Sequence, residues 1–213
     1  MKVIQVTDVH LGRLREIRYG ANLNERLDRC IDHINQRHSD GALCIFTGDL
    51  TDDGEADSYA DLKAALSRLA VPYRLLPGNH GWLDARLAEV AGKAAYIFLH
   101  HPPVELGLTL LDPLGLEQPQ RLIDVLTRHG NVRYIFFGHV HRDIAGTVAG
   151  IPFSVQRGLH ARFMLDVVGD EMVEQAPPAY SIILIDGQRV VIHSHDFLEQ
   201  WPLWSPATGQ RVR

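Results

Sequence analysis

Residues Lys2–His10 have the sequence KVIQVTDVH, an apolar run that ends in two polar residues. The first part, Lys2–Thr7, is rich in β-branched side chains and predicts a buried β-strand. Asp8 and His10 follow directly where the strand ends, and their i, i+2 spacing lets both side chains project to the same side. The stretch therefore predicts a strand with a polar pair at its carboxyl end.

The same pattern recurs along the chain, because short apolar runs alternate with amphipathic segments. The spacing of the apolar residues predicts helices over 23–34, 59–69, 83–90 and around 122–126. Further strands are predicted at 42–47, 73–76, 96–99 and 134–137. Strands that alternate with helices are typical of βαβ units, so we expect an α/β fold with a largely parallel sheet.

The chain changes character after Gly138. Four β segments with tight connections such as Asp186-Gly187 are predicted at 151–155, 161–167, 181–185 and 189–195. These segments favour antiparallel pairing, which makes a mixed sheet or a two-sheet core. We expect a single domain over 1–199 and a C-terminal tail over 200–213.

Composition excludes several classes of protein. A chain of 213 residues with 46% apolar and 22% charged residues has enough apolar surface for a core and is unlike a disordered chain. It has no membrane-spanning run and no secretory signal, and two cysteines cannot form a disulfide framework, so we expect a cytoplasmic protein. With a net charge of −5 and no basic block, we expect neither nucleic acid nor a membrane as partner. A homo-oligomer remains open.

Polar residues end each of the first five predicted strands. Ligands of open α/β sheets bind beyond the carboxyl ends of the strands, so we expect these side chains to meet at one edge of one sheet. The candidate metal ligands are Asp8, His10, Asp49, Asn79, His100, His139 and His141. Gly48, Gly78 and Gly138 would allow the sharp turns that aim them inward.

The donor set indicates the kind of metal site. Nitrogen and oxygen donors without thiolate suit Mn, Fe, Zn or Co, as divalent or trivalent ions. Seven protein ligands are enough for two metal ions that share a bridge. Such a centre activates water and clamps a phosphoryl group, so the residues predict phosphoester hydrolysis.

Five motifs in a fixed order carry a family resemblance. They are Asp8-x-His10, Gly48-Asp49, Gly78-Asn79-His80, His100-x-Pro102 and Gly138-His139-x-His141. From Lys2 to about Asp166 the chain resembles the calcineurin-like metallophosphoesterase superfamily, most closely its class III cyclic-nucleotide phosphodiesterases and bacterial glycerophosphodiesterases. The resemblance implies a four-layer α/β/β/α sandwich with mixed sheets.

The resemblance also implies roles for individual residues. One metal would be held by Asp8, His10, Asp49 and His141, and the second by Asp49, Asn79, His100 and His139, with Asp49 as the bridge. His80 would face the phosphate, and Asn79 and His80 would contact the substrate. Asp52 is a candidate to hydrogen-bond His80, and capping of the next helix by Asp52 or Asp53 is the alternative.

The expected reaction is hydrolysis of a small phosphodiester by a hydroxide of the dinuclear centre. His80 would bind a phosphate oxygen or protonate the leaving group. The expected substrates are 3',5'-cyclic nucleotides such as cyclic AMP, or glycerophosphodiesters. A phosphomonoesterase or nuclease of the same superfamily, or a non-catalytic binding module on this fold, is the alternative.

Two features of the sequence depart from the family motifs, and two further histidines lie outside those motifs. Gly81 follows the GNH motif where an acidic residue is usual, and only twenty residues separate Asn79 from His100. This shortened interval predicts a more open substrate rim and could cost the sheet a strand. Alternation would point His101 away from its neighbour His100, so we expect it either to contact the substrate or to have a packing or supporting role beside the ligands. His160 is a second-tier site candidate.

Overall fold

The computed structural model describes residues 1–12, 17–18, 20–76, 81–168, 171–198, 205–208 and 210–211. The predicted site residues Asn79 and His80 lie outside these ranges, as does much of the predicted tail. The described helices are α1 (Leu23–Arg37), α2 (Ala56–Leu66), α3 (Gly81–Glu89) and α4 (Pro119–His129). None of them is long and apolar enough to cross a membrane.

Thirteen strands are seen in the described part of the chain. They are β1 (Lys2–Val6), β2 (Ile17–Arg18), β3 (Ala21–Asn22), β4 (Leu43–Phe46), β5 (Tyr73–Leu75), β6 (Ala95–Phe98), β7 (Val132–Phe137), β8 (Ile144–Val148), β9 (Ile151–Val155), β10 (Arg162–Val168), β11 (Glu171–Glu174), β12 (Ala179–Asp186) and β13 (Arg189–Asp196). The first sheet has the order β13-β12-β1-β4-β5, and the second has the order β6-β7-β9-β8. β2 with β3 and β10 with β11 form two small ribbons.

Both main sheets are mixed. β1, β4 and β5 run parallel, whereas β12 pairs antiparallel with β1 and with β13. In the second sheet β6, β7 and β9 are parallel and β8 is antiparallel to β9. The antiparallel pairing expected after Gly138 is therefore confirmed for β10, β12 and β13, and β9 has it on one side only, since it also pairs parallel with β7. The strand β8 was not predicted, because its sequence IAGTV has a glycine at its centre and no regular alternation of apolar and polar residues.

The helix α1 shows how the sequence builds the outer layers. Its apolar positions recur every three or four residues, and the side chains of Leu27, Ile31 and Ile34 are fully buried. The side chain of Asn22 accepts a hydrogen bond from the backbone N–H of Glu25 at 3.0 Å, which caps the helix.

Three apolar clusters separate four layers. One lies between α1, α2 and the first sheet, and another lies between the second sheet and the helices α3 and α4. The third fills the space between the sheets with Val3, Ile45, Phe136, Ile183 and Ile185. The α/β/β/α sandwich implied by the resemblance is therefore confirmed.

The expectation of one sheet edge is wrong, because the strands divide between two sheets. β1, β4 and β5 belong to the first sheet, while β6 and β7 belong to the second. β1, β4 and β7 are largely buried, and buried strands are continuous apolar runs rather than alternating ones. The periodicity of the sequence therefore cannot assign such a strand to a sheet.

Candidate metal centre

The predicted ligands meet where the two sheets face each other. Asp8 and Asp49 follow β1 and β4 of the first sheet, and His100 and His139 follow β6 and β7 of the second. The backbone N–H of His139 donates to both carboxylate oxygens of Asp8 at 3.1 Å. This contact joins the two sheets directly at the site.

Asp8, His10 and His141 form the first group of donors. One ligand atom from each lies within 4.8 Å of the others. The Nε2 atom of His141 is 3.4 Å from Oδ1 of Asp8 and 3.3 Å from Nε2 of His10. Two imidazoles and a carboxylate in this arrangement suit a divalent transition metal.

Asp49 and His100 extend the site to a second position. The Nε2 atom of His100 is 3.0 Å from Oδ1 of Asp49 and 4.0 Å from Oδ1 of Asp8. The other oxygen of Asp49, Oδ2, is 3.3 Å from Nε2 of His10. Asp49 therefore offers one oxygen to each half of the site, as a bridging carboxylate would.

The backbone at these residues is unusual. Among the described residues, six that are not glycine have a positive φ, between 44° and 74°. Five of the six are the candidate ligands Asp8, His10, Asp49, His139 and His141. A left-handed conformation is costly for side chains with a Cβ, and such strain concentrates at functional sites.

Two glycines permit the close approach of the strand ends. A Cβ at Gly138 would lie 1.9 Å from Oγ1 of Thr7 and 3.0 Å from Oδ2 of Asp8. A Cβ at Gly48, where φ is +100°, would lie 2.5 Å from the ring of His100. The left-handed φ of Gly48 agrees with the predicted turn, whereas Gly138 serves to leave room for the opposing strand end. Gly78 lies outside the described residues.

Backbone carbonyls orient two of the imidazoles. Nδ1 of His100 donates to the carbonyl oxygen of Thr47 at 2.7 Å, and Nδ1 of His141 donates to that of Ala161 at 2.8 Å. Each bond fixes the tautomer and turns Nε2 toward the site as a lone-pair donor.

The carboxylates and imidazoles of the site stabilise each other's charged forms. Burial alone would raise the pKa of Asp8, but the imidazoles of His141, His100 and His10 outweigh it and hold that pKa below its usual range. Burial likewise opposes the charged imidazoles, yet the neighbouring carboxylates of Asp8 and Asp49 raise the pKa of His100 and His141. The carboxylate is therefore ionised over the physiological range and can act as a ligand.

His139 supplies the observation that tests whether a metal fits. Burial, with His100 and His101 nearby, lowers its pKa to about 4, so the ring is neutral at pH 7. Among the described residues, both of its ring nitrogens are buried without a hydrogen-bond partner. Buried donors and acceptors are normally satisfied, and a neutral imidazole nitrogen is a metal ligand. The residues present therefore fit metal ions.

Two further histidines lie around the ligands. His101 packs on His139 with ring centroids 4.6 Å apart, and one of its nitrogens groups with those of His100 and His139. Alternation does not apply to His101, because the chain leaves the extended conformation after β6, and its ring lies beside the ligands as a packing role requires. His160 packs on His10 with ring centroids 4.6 Å apart. No spacing motif marks either residue in advance.

Asp52 lies beside a different histidine from the one expected. Its Oδ1 is 3.4 Å from Nδ1 of His10, whereas His80 lies outside the described residues. Just ahead of α2, whose N-cap residue is Glu55, the carboxylate of Asp53 accepts from the backbone N–H of Glu55 and from Oγ of Ser58, both at 3.0 Å. The expected hydrogen bond between Asp52 and His80 stays a prediction.

The family model and the relatives that match this chain are all described as phosphoesterases. The family model described as calcineurin-like phosphoesterase matches residues 1–97. The chain is 30% identical to a probable cyclic nucleotide phosphodiesterase of Rhodopseudomonas palustris, over 96% of each protein. It is 27% identical to a probable glycerophosphodiester phosphodiesterase of Arcobacter nitrofigilis, over 67% of this chain and 72% of that protein.

The alignment with the Rhodopseudomonas protein has 263 positions against the 213 residues of this chain, so that relative carries at least 50 residues where this chain has none. Among solved structures, a dimetal phosphatase from Danio rerio shares the fold, with a TM-score of 0.68, 12% identity and coverage of 93% of this chain and 96% of that one. The chain therefore belongs to the calcineurin-like phosphoesterase family and is a hydrolase of the metallophosphoesterase type.

Proposed function

We propose that the chain hydrolyses phosphodiesters at a two-metal centre within a domain over 1–199. The proposed ligands are Asp8, His10, Asp49, Asn79, His100, His139 and His141. The observation that carries the proposal is the meeting of the six described ligands at the junction of the sheets, with Asp49 turned toward both His10 and His100. The nitrogen and oxygen donors suit Mn, Fe, Zn or Co.

The chain's own residues would prepare the site for this chemistry. When bound, two such cations supply Lewis-acid activation of water and neutralise charge on the phosphoryl group. The carbonyls of Thr47 and Ala161 hold the imidazoles of His100 and His141 in one tautomer, so no reorganisation is needed at the moment of reaction. His80 is the proposed hydrogen-bond donor to the phosphate or to the leaving oxygen.

The relatives suggest the substrate. One is described as a probable cyclic nucleotide phosphodiesterase and another as a probable glycerophosphodiester phosphodiesterase. Small phosphodiesters of these two kinds, 3',5'-cyclic nucleotides such as cyclic AMP and glycerophosphodiesters, are therefore the proposed substrates. We propose a cytoplasmic enzyme on the basis of its composition.

The test is hydrolysis of bis(p-nitrophenyl) phosphate before and after removal of metal with EDTA. We expect chelation to abolish turnover and Mn or Zn to restore it. Asp49→Ala should lose bound metal, whereas His80→Ala should keep metal and lower kcat. His193→Ala, on the exposed edge strand β13, is the control that should change neither. Turnover that survives complete chelation would reject the two-metal proposal.

A substrate panel then separates the classes. Cyclic AMP, a glycerophosphodiester and the monoester p-nitrophenyl phosphate are compared by kcat/KM under the same metal loading. A diesterase should turn over the first two and leave the monoester. A preference for the monoester would instead make the chain a phosphomonoesterase.

A further inference from the structure

A groove opens directly beside the candidate metal centre. It has a volume of about 840 Å³ and its lining includes His139, His101, Leu83, Leu114, Arg121 and Leu122. We call it the His139 groove. Its volume lies in the range of pockets that enclose an organic ligand, roughly 300–1,000 Å³.

The walls of the His139 groove are mainly aliphatic. Leu83 comes from α3, Leu122 from α4, and Leu114 from the short 3₁₀ turn Asp112–Leu114. Leu122 is only 4% exposed, whereas Arg121 and the neighbouring Glu117 are exposed. The more buried part of the groove is therefore apolar and polar groups lie on its exposed side, as in sites for organic molecules.

The position of the groove gives it a role in the proposed reaction. His139 belongs both to the groove lining and to the candidate ligands, and the ring of His101 packs against it. A phosphoryl group held by the ligands would therefore have one of its ester substituents at the mouth of the groove. Leu83, Leu114 and Leu122 carry no metal-ligating atoms, so these lining side chains offer apolar contact.

We propose that the His139 groove binds a bulky apolar or aromatic ester group of the substrate and that Leu83, Leu114 and Leu122 determine this preference. The inference rests on the proposed function, because the groove is assigned to a substituent of a phosphoryl group held at the metal centre. It selects phosphodiesters with a large ring or hydrocarbon substituent over those with small polar substituents such as glycerol.

The test uses phosphonic acids, which carry a single organic group and cannot be hydrolysed. Methylphosphonate and 1-naphthylmethylphosphonate are titrated into the metal-loaded protein by calorimetry. We expect the naphthyl compound to bind at least about tenfold more tightly, since even one methylene in an apolar pocket is worth about tenfold or more.

Two filling variants locate the effect. Leu114 is 57% exposed and Arg121 is exposed, so Leu114→Trp and Arg121→Trp should fold and occupy the groove. Both should weaken binding of the naphthyl compound to the level of methylphosphonate, whose affinity should not change. The matched control is Leu184→Trp on β12, a residue 37% exposed at the far end of the first sheet, which should keep the full preference.

The outcomes distinguish this inference from the function beneath it. Equal binding of the two phosphonates by the unmodified protein, or a preference that survives both filling variants, overturns the assignment of the groove alone. Failure of both phosphonates to bind overturns the phosphoryl site itself and the groove assignment with it, whereas binding of methylphosphonate alone overturns only the groove assignment.

Discussion

The imidazoles of the site differ in what holds them. His100 and His141 donate to backbone carbonyls, which no substitution at those carbonyl positions removes. His10 instead has the carboxylate of Asp52 beside its Nδ1, at 3.4 Å. Groups that orient a ligating histidine contribute about 10–100-fold to metal affinity. Asp52 is therefore the orienting group that can be tested by a single substitution.

We predict that Asp52→Asn weakens metal binding about tenfold and leaves the fold intact. Asp53→Asn is the matched control, because the carboxylate of Asp53 bonds to Glu55 and Ser58 at the start of α2. Asn and Asp serve helix starts about equally well, so this variant should change the unfolding free energy little and leave the metal affinity unchanged. Competition with a chromogenic chelator measures the affinity, and equal affinities for the two variants would contradict the role of Asp52.

At the level of elements, α1 is tied to the strands β12 and β13 by histidines. Nδ1 of His33 lies 2.6 Å from the hydroxyl of Tyr180, and Nε2 of His38 lies 3.1 Å from Nδ1 of His195. Burial, with His195 and Arg37 nearby, lowers the pKa of His33 to about 4. Burial also lowers the pKa of His38 and of His195.

The lowered pKa of His33 predicts that the folded chain loses stability in mild acid. An unfolded chain protonates His33 near pH 6.5, but the folded chain does so only near pH 4. The unfolded state thus binds more protons within that window, so the free energy of unfolding falls as the pH falls from 6.5 to 4. We expect His33→Gln to show a smaller drop in Tm between pH 7 and pH 5 than the unmodified chain.

The control for this prediction is His193→Gln, on the exposed side of β13. It should retain the full drop in Tm. If the Tm of His33→Gln and that of His193→Gln fall equally between pH 7 and pH 5, protonation of His33 does not cause the acid sensitivity.

Elements were more predictable from the sequence than their arrangement. The helices over 23–34 and 83–90 were found as α1 (Leu23–Arg37) and α3 (Gly81–Glu89), because amphipathic spacing depends only on local sequence. The split of β5 and β6 between two sheets was missed, because the residues of a short strand do not indicate which strand it pairs with. His160 was only a second-tier candidate, because its proximity to His10 arises from tertiary packing.

At the scale of the whole molecule, the candidate site lies at the junction between the two main sheets, which we call the seam. The apolar contact between the sheets is a modest cluster around Val3, Phe136 and Ile183. Asp8 and Asp49 reach the seam from one sheet and His100 from the other. Ions held by residues of both sheets would therefore bind the folded chain and not the unfolded one.

We predict that metal loading raises the unfolding temperature. At free metal about 100-fold above Kd, linkage gives about 2.7 kcal/mol, which for a chain of this size is a rise in Tm of about 5–10 °C. Scanning calorimetry of the chelated and reloaded protein measures it. Asp49→Ala should lose most of the rise, and His193→Ala should keep it. A Tm that is indifferent to metal would show that the seam does not hold ions.

Five of the proposed ligands have a left-handed backbone, so their side chains lower the stability of the fold while they serve the site. They are Asp8, His10, Asp49, His139 and His141. Glycine adopts that conformation without the penalty of about 1–2 kcal/mol that a Cβ brings. In the metal-free protein, selection for heat resistance alone would therefore favour glycine at these positions and remove the ligands. Screens for a more stable variant should score turnover together with thermal stability, because the backbone and the metal site favour different residues at the same positions.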